Sequence, residues 1–295
     1  MTNRAFLVGI NDYYPIGVGG QDLGGCVNDV QDMANTLVIC GFRPNDILIC
    51  TDNRATKANM AKGIGSLVDN SNPNDSIVFY YSGHGSQMRN TGEESDMHDE
   101  VLCPHDMDFG NNFLSDNELS SIFSKLPEGV NLEVILDCCH SGTGTRELVF
   151  SQQSTRESSS ESFTTLEEFN KSKILVPRYM EPPIDVKFYL DYTPNAETKW
   201  LLSPADDTRE IVLDKLNHTL WAGCRDNQLS YETEIRGVRR GIFTYNLCEI
   251  LRKVEGKIER DKLYKLLNAA VQRMGYPQNP QLETSKHESL DMTFA

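Results

Sequence analysis

Four short stretches of this chain are apolar at nearly every position instead of at alternate ones: Ala5 to Ile10, Ile47 to Cys50, Ile77 to Tyr81 and Leu132 to Leu136. A strand that is apolar on both faces must be covered on both faces, which is the pattern of buried parallel strands. Between them lie segments of helical spacing. Val30, Met33, Ala34, Leu37 and Val38 recur as one helix face and Gly41 stops it; Ala55 to Val68 and Asp116 to Leu126 give two further helices. Strands alternating with helices predict right-handed crossovers and a mostly parallel sheet, an α/β fold with helices flanking the sheet. Later in the chain, His218 to Cys224 reads as a strand and Phe243 to Arg252 as a helix. A last helix from Ile258 to Met274 places Leu263, Leu266, Leu267, Ala270, Val271 and Met274 on one face.

The 295 residues suffice for one large domain. Residues 151–165 hold nine Ser or Thr and a single Phe, so 146–215 reads as a flexible insertion between a first half, 1–145, and a second, 216–295. The formal net charge of −15 repels nucleic acid and anionic membrane, and neither is expected as a partner. No apolar run approaches the roughly 18 residues of a membrane span. With eight cysteines, no CxxC pair and no export signal, reduced thiols and a cytoplasmic location are expected.

Two strands end in reactive residues: Ser82-Gly83-His84-Gly85 follows the third apolar run, and Asp137-Cys138-Cys139-His140-Ser141-Gly142 follows the fourth. Open parallel sheets bind ligands beyond the carboxyl ends of their strands. A His and a Cys delivered to one edge have the makings of a nucleophile and its base. Either residue alone reads as a loop histidine or a packed core thiol; both together at equivalent strand ends, each wrapped in small residues, favour chemistry. The glycines around His84 are expected to turn the backbone sharply and leave room for a substrate chain.

This pair of motifs resembles the metacaspases and their bacterial relatives, cysteine peptidases of the caspase-like superfamily. The resemblance extends through Gly25-Cys26-Val27-Asn28-Asp29 and Gly223-Cys224-Arg225-Asp226-Asn227-Gln228 and covers most of the chain outside the insertion. It implies a caspase-hemoglobinase-like three-layer sandwich and a cysteine endopeptidase, with Cys139 as nucleophile and His84 as general base and acid. It also implies oxyanion donors at the backbone N–H groups of Gly85 and Cys139, and a pocket for the residue before the cut formed by Cys26, Asp29, Ser82 and Asp137. Two carboxylates in an enclosed pocket demand a cation, and the planar fork of Arg suits them better than Lys. Substrates are therefore expected to be proteins or peptides with Arg, less well Lys, before the scissile bond. Alternation along a strand turns Cys138 and His140 away from Cys139 and makes them structural. Asp226 is assigned a substrate contact.

Nine acids and no Lys or Arg lie between Thr91 and Glu118. The resemblance implies calcium there, with Asp99 and Asp116 at matching positions. Ser115 and Arg146 depart from the calcium-binding pattern, so a solvated acidic loop with no required cofactor is the reading the residues favour. Arg156, Lys171, Lys173 and Arg178 in or near the insertion offer sites for self-processing, and the resemblance implies a monomer. Two other readings stand beside the peptidase: a non-catalytic caspase-like scaffold, and a clostripain- or gingipain-type peptidase sharing the His-Gly and Cys pair.

Overall fold

The computed structural model describes residues 2–13, 22–89, 98–139, 175–183, 218–225 and 228–284. In chain order, the first half contains β1 (Asn3–Gly9), α1 (Cys26–Ile39), β2 (Ile47–Thr51), α2 (Lys57–Asp69), β3 (Ser76–Ser82), β4 (Gly85–Arg89), β5 (His98–Leu102), β6 (Leu114–Ser115), α3 (Asp116–Phe123) and β7 (Asn131–Asp137). The segment read as an insertion contributes β8 (Val176–Pro177), and the second half contains β9 (His218–Ala222), β10 (Tyr231–Ile235), β11 (Val238–Gly241), α4 (Ile242–Val254), α5 (Arg260–Arg273) and β12 (Gln281–Glu283).

The main sheet runs β12-β9-β7-β3-β1-β2, with every pair parallel except β12 on β9. The apolar runs of β1, β3 and β7 are explained by its two covered faces; β2 departs from that expectation, because it lies at the sheet edge and leaves Leu48 and Ile49 exposed. Phe6, Val8, Ile77, Phe79, Tyr81, Leu132, Val134 and Leu136 pack into one core with Met60, Ile64 and Leu67 of α2 and Leu119 and Phe123 of α3. Their neighbours Ala5, Leu7, Val78, Tyr80 and Ile135 enter a second core with Met33 and Leu37 of α1, Leu247 and Leu251 of α4, and Leu263, Leu267 and Val271 of α5. The period-2 alternation of a strand thus feeds two layers of helices, the three-layer arrangement expected.

Local signals set the helix starts. Thr56 caps α2 by accepting from the Asn59 N–H at 3.3 Å. Ser115 and Glu118 form a reciprocal capping box at α3. The last helix begins at Arg260, two residues later than the pattern predicts, and Leu266 is exposed instead of packed. Val38 likewise faces out near the end of α1. In both helices the contacting stripe is narrower than the apolar stripe in the sequence.

Elements from after the insertion complete the sheet begun before it, since β9 pairs in parallel with β7. A buried polar cluster reinforces that join. Glu133 of β7 accepts from Trp221 Nε1 of β9 at 2.6 Å and from Arg260 Nε at the start of α5 at 2.7 Å. Arg260 also reaches Asn131 Oδ1 at 2.6 Å. Two small sheets, β4-β5-β6 and β11-β10-β8, sit at the carboxyl-terminal end of the main strands and were not anticipated from periodicity. Their strands are two to five residues long, too short to carry a pattern.

Candidate active site

The parallel register of β3 on β7 sets Ser82 opposite Asp137, so the two reactive segments leave the sheet side by side. Ser82 continues the series of Val78 and Tyr80, and Asp137 that of Ile135, so both fall on the face covered by α1 and α4. Asp29, one turn into α1, approaches from that layer. Asp29, Ser82 and Asp137 are all fully buried, as is the Cys26 that opens the helix.

The cation demanded by these carboxylates is supplied by the chain itself. Arg178, fully buried, extends its guanidinium between them. Its Nη1 lies 2.8 Å from Asp137 Oδ2 and donates to Ser82 Oγ at 2.9 Å; its Nη2 donates to Asp29 Oδ2 at 2.5 Å. Glu232 on β10, which the sequence reading did not single out, brings Oε2 to 3.5 Å from Nη2. The carboxylates are themselves held. Asp29 accepts from the Gly241 N–H at 3.0 Å and the Ser82 hydroxyl at 3.1 Å. Asp137 accepts from Ser230 Oγ and Thr244 Oγ1, both at 2.6 Å. Glu232 accepts from the N–H groups of Gly24 and Gly25 at 2.8 and 2.9 Å. A side chain at Gly241 would collide with Asp137 and stand 2.6 Å from Arg178 Nη1, so only glycine leaves this pocket open.

Burial pushes the Asp29 carboxyl up from 3.8 to about 6, helped by Asp137 and opposed by Arg178. Burial alone lowers the pKa of a guanidinium, but Asp137, Cys26, Asp29 and Glu232 outweigh it and hold Arg178 charged. Burial raises the Cys26 thiol well above its ordinary value, leaving it a neutral wall of the pocket.

The backbone around Arg178 is held as firmly as its side chain. Val176 and Pro177 pair antiparallel with Glu232 and Tyr231, and the Arg178 N–H donates to Ser230 O at 3.0 Å. The Arg178 carbonyl oxygen then accepts two N–H groups, from Gly85 and from Cys139, each at 3.1 Å. Beyond the Arg178–Tyr179 peptide bond, Met180 N–H donates to Gly85 O at 2.9 Å and Ser86 Oγ donates to Met180 O at 2.7 Å. An extended strand added to a sheet edge, with one side chain in a deep pocket, is a general mode of peptide recognition.

His84 directly precedes Gly85. Its N–H donates to Tyr13 Oη at 2.7 Å, its carbonyl accepts from Tyr81 Oη at 2.6 Å, and its ring stands 4.9 Å from that of Tyr13. A side chain at Gly83 would meet the hydroxyls of Tyr81 and Tyr13 at 2.5 and 2.6 Å. That corrects the expectation of open space: Gly83 is needed for close packing, and Gly85 starts strand β4. Adjacent cysteines diverge. Cys138 packs in the α2/α3 layer; Cys139 belongs to the α1/α4 layer, where its Sγ accepts from the Ser230 N–H at 2.7 Å.

Asp99 lies on β5 and Asp116 opens α3, in elements joined through β6. Among the described residues no group of three or more His, Cys, Asp or Glu is placed to hold a metal. His140, Arg146 and Asp226 lie outside the described residues, as do Arg156, Lys171 and Lys173. Glu232 was missed because its signal is topological: a hairpin strand after the insertion carries it to the mouth of α1.

The family described as "Metacaspase, peptidase C14 domain" matches residues 3–146. Among curated relatives, Metacaspase-1 of Ajellomyces capsulatus is 30% identical over 309 residues, covering 99% of this chain and 82% of its own. Metacaspase-1 of Scheffersomyces stipitis is 26% identical, covering 99% and 72%. Among solved structures, protein GSU0716 of Geobacter sulfurreducens superposes with a TM-score of 0.63 at 24% identity, covering 100% of this chain and 98% of that one. Caspase-1 of Spodoptera frugiperda gives 0.56 at 12% identity, with 96% and 86% covered. These two likenesses give the fold.

Proposed function

The chain belongs to the metacaspase family of cysteine peptidases, and on that footing we propose that it cleaves after arginine through Cys139 and His84 and that its own Arg178–Tyr179 bond is its first substrate. The observation that carries the reading is Arg178 itself. Its side chain fills the acidic pocket while its carbonyl oxygen accepts from the N–H groups of Gly85 and Cys139.

In the proposed reaction His84 takes the Cys139 thiol proton and the thiolate attacks the carbonyl carbon. The oxygen gains a negative charge, which the two N–H donors stabilise where it forms. The C–N bond then breaks, with His84 returning the proton to the departing Tyr179 amine. Water deprotonated by His84 attacks the thioester, and the thiolate leaves with an Arg178 carboxylate as product. Any protein or peptide presenting an arginine in the same extended form takes the same path. Lysine has one nitrogen where arginine has a fork, so it is served less well. An acidic residue meets three carboxylates and is rejected, which separates this pocket from aspartate-specific relatives. No step is assigned to a metal.

The test is intact-mass analysis of the purified chain, beside hydrolysis of Arg, Lys and Asp reporter peptides. Wild type is expected to yield one fragment ending in Arg178 and one beginning with Tyr179, and to cleave Arg over Lys with no turnover of Asp. Cys139→Ala is expected to remain whole and inactive. Preference for Asp, or full activity in Cys139→Ala, overturns the reading.

A further inference from the structure

We infer that Glu232 is a specificity-determining residue, the carboxylate that makes this pocket select arginine over lysine; the inference rests on the arginine reading above. The guanidinium is held at both ends of its fork by different groups. Nη1 is shared by Asp137 and Ser82, whereas Nη2 faces Asp29 at 2.5 Å and Glu232 at 3.5 Å. A lysine ammonium is a single point and cannot occupy both ends, so groups serving only the second nitrogen discriminate between the two side chains.

Of the two carboxylates at that end, Asp29 is the nearer to Nη2, and Glu232 is anchored by backbone N–H groups at the start of α1. Glu232 is also buried, but both its oxygens are already occupied. Oε1 accepts from Gly24 N–H at 2.8 Å and lies 3.5 Å from Arg239 Nη1; Oε2 accepts from Gly25 N–H at 2.9 Å. Gly25 is the N-cap of α1, so the carboxylate stands at the positive end of a 14-residue helix. These donors fix the Glu232 carboxylate in place before any arginine arrives, so its orientation need not be assembled on binding.

Glu232 also comes from the second half of the chain, on the strand that pairs with the bound segment at Val176. The backbone that receives a substrate and the carboxylate that reads its side chain are thus one element. A pocket built only from Cys26, Asp29, Ser82 and Asp137 would bind a cation; adding Glu232 makes it read a fork.

The experiment is the ratio of kcat/KM for matched Arg and Lys reporter peptides, measured in the full chain for wild type and Glu232→Gln. Any fraction of enzyme blocked by its own Arg178 segment lowers both constants equally, so the ratio is free of that effect. Wild type is expected to favour Arg at least tenfold, and Glu232→Gln to bring the ratio within about threefold, chiefly by raising KM for Arg. An unchanged Arg/Lys ratio in Glu232→Gln overturns the role of Glu232 while leaving arginine cleavage intact. Failure of wild type to cleave either peptide overturns the arginine reading itself, and this inference with it. Glu232→Gln keeps one acceptor oxygen, for one of the two glycine N–H groups. If it lacks a cooperative melting transition, Glu232→Asp, which draws the charge back by one methylene, carries the same expectation and the same overturning result.

Discussion

Asp29 and Arg178 stand 149 positions apart in the chain, yet Asp29 Oδ2 and Arg178 Nη2 meet at 2.5 Å with both side chains fully buried. Asp29, Ser82 and Asp137 precede the occupant of the pocket in the sequence, and Glu232 follows it. Because occupant and pocket are covalently linked, the pairing is intramolecular, and a free substrate competes against a high effective concentration.

Replacing Arg178 by Ala should therefore open the pocket. The expected outcome is a fall of about tenfold or more in apparent KM for an Arg reporter peptide, as an intramolecular competitor of millimolar effective concentration is removed. Self-cleavage at position 178 should be lost. Steady-state kinetics on the freshly purified chain reads the first, and intact mass the second. An unchanged KM would mean that Arg178 does not obstruct the site.

The raised Asp29 carboxyl gives a pH dependence of definite sign. As pH falls through about 6, Asp29 takes up a proton, one negative partner of the guanidinium is lost, and KM for Arg peptides should rise. Asp29→Asn should flatten that limb. The contribution to stability runs the other way. A carboxyl raised from 3.8 to about 6 on folding favours the folded state most below 3.8, and that advantage is lost as pH rises through 6. Above that range Arg178 compensates the buried charge, so Arg178→Ala should lower the melting temperature more at pH 7.5 than at pH 5. Equal losses at the two pH values would contradict this account.

Glu133→Ala should weaken the join between the two halves. It removes the carboxylate that Arg260 Nε reaches at 2.7 Å and the acceptor of the Trp221 indole. Breaking a buried pair in this way costs about 3–5 kcal/mol. Denaturant titration is the measure. A loss below about 1 kcal/mol would show that Asn131 and neighbouring groups suffice for Arg260.

Calcium is expected to leave peptide cleavage unchanged. The acidic stretch already has a cation at its edge, Lys57, whose Nζ is 3.0 Å from Glu118 and 5.4 Å over the Phe113 ring. Arg-peptide turnover in chelator and then in added calcium decides the matter; activation by calcium would restore Asp99 and Asp116 as metal ligands.

The parallel core was legible in the sequence because fully buried strands must be apolar at consecutive positions, as β1, β3 and β7 are; the same pattern in β2 marks an edge strand whose Leu48 and Ile49 stay exposed. Ser82, Asp137 and Cys139 were legible because they sit at the ends of those runs, where register alone brings them together. Glu232 was not, since a glutamate in a five-residue hairpin strand looks like surface until topology places it. Arg178 reads in the sequence as one more basic residue of the insertion, and nothing local distinguishes it from Lys171 or Lys173. Its placement comes from the pairing of Val176 and Pro177 with Glu232 and Tyr231, which is a long-range contact. Leu266 and Val38 show the opposite error, where helical spacing promised contacts that the neighbouring elements are too narrow to make.

Cys138 and Cys139, both buried, pack in different layers of the molecule, so which sulfur lies on the Asp137 side depends on strand phase. Deleting one residue from Asn131–Asp137 would leave a plausible strand but rotate every later side chain by half a turn. The thiol now packed beside α2 and α3 would then turn to the α1/α4 layer, and the other would enter the α2/α3 layer. Which cysteine shares a layer with Asp29 and Asp137 is thus decided by counting along seven residues.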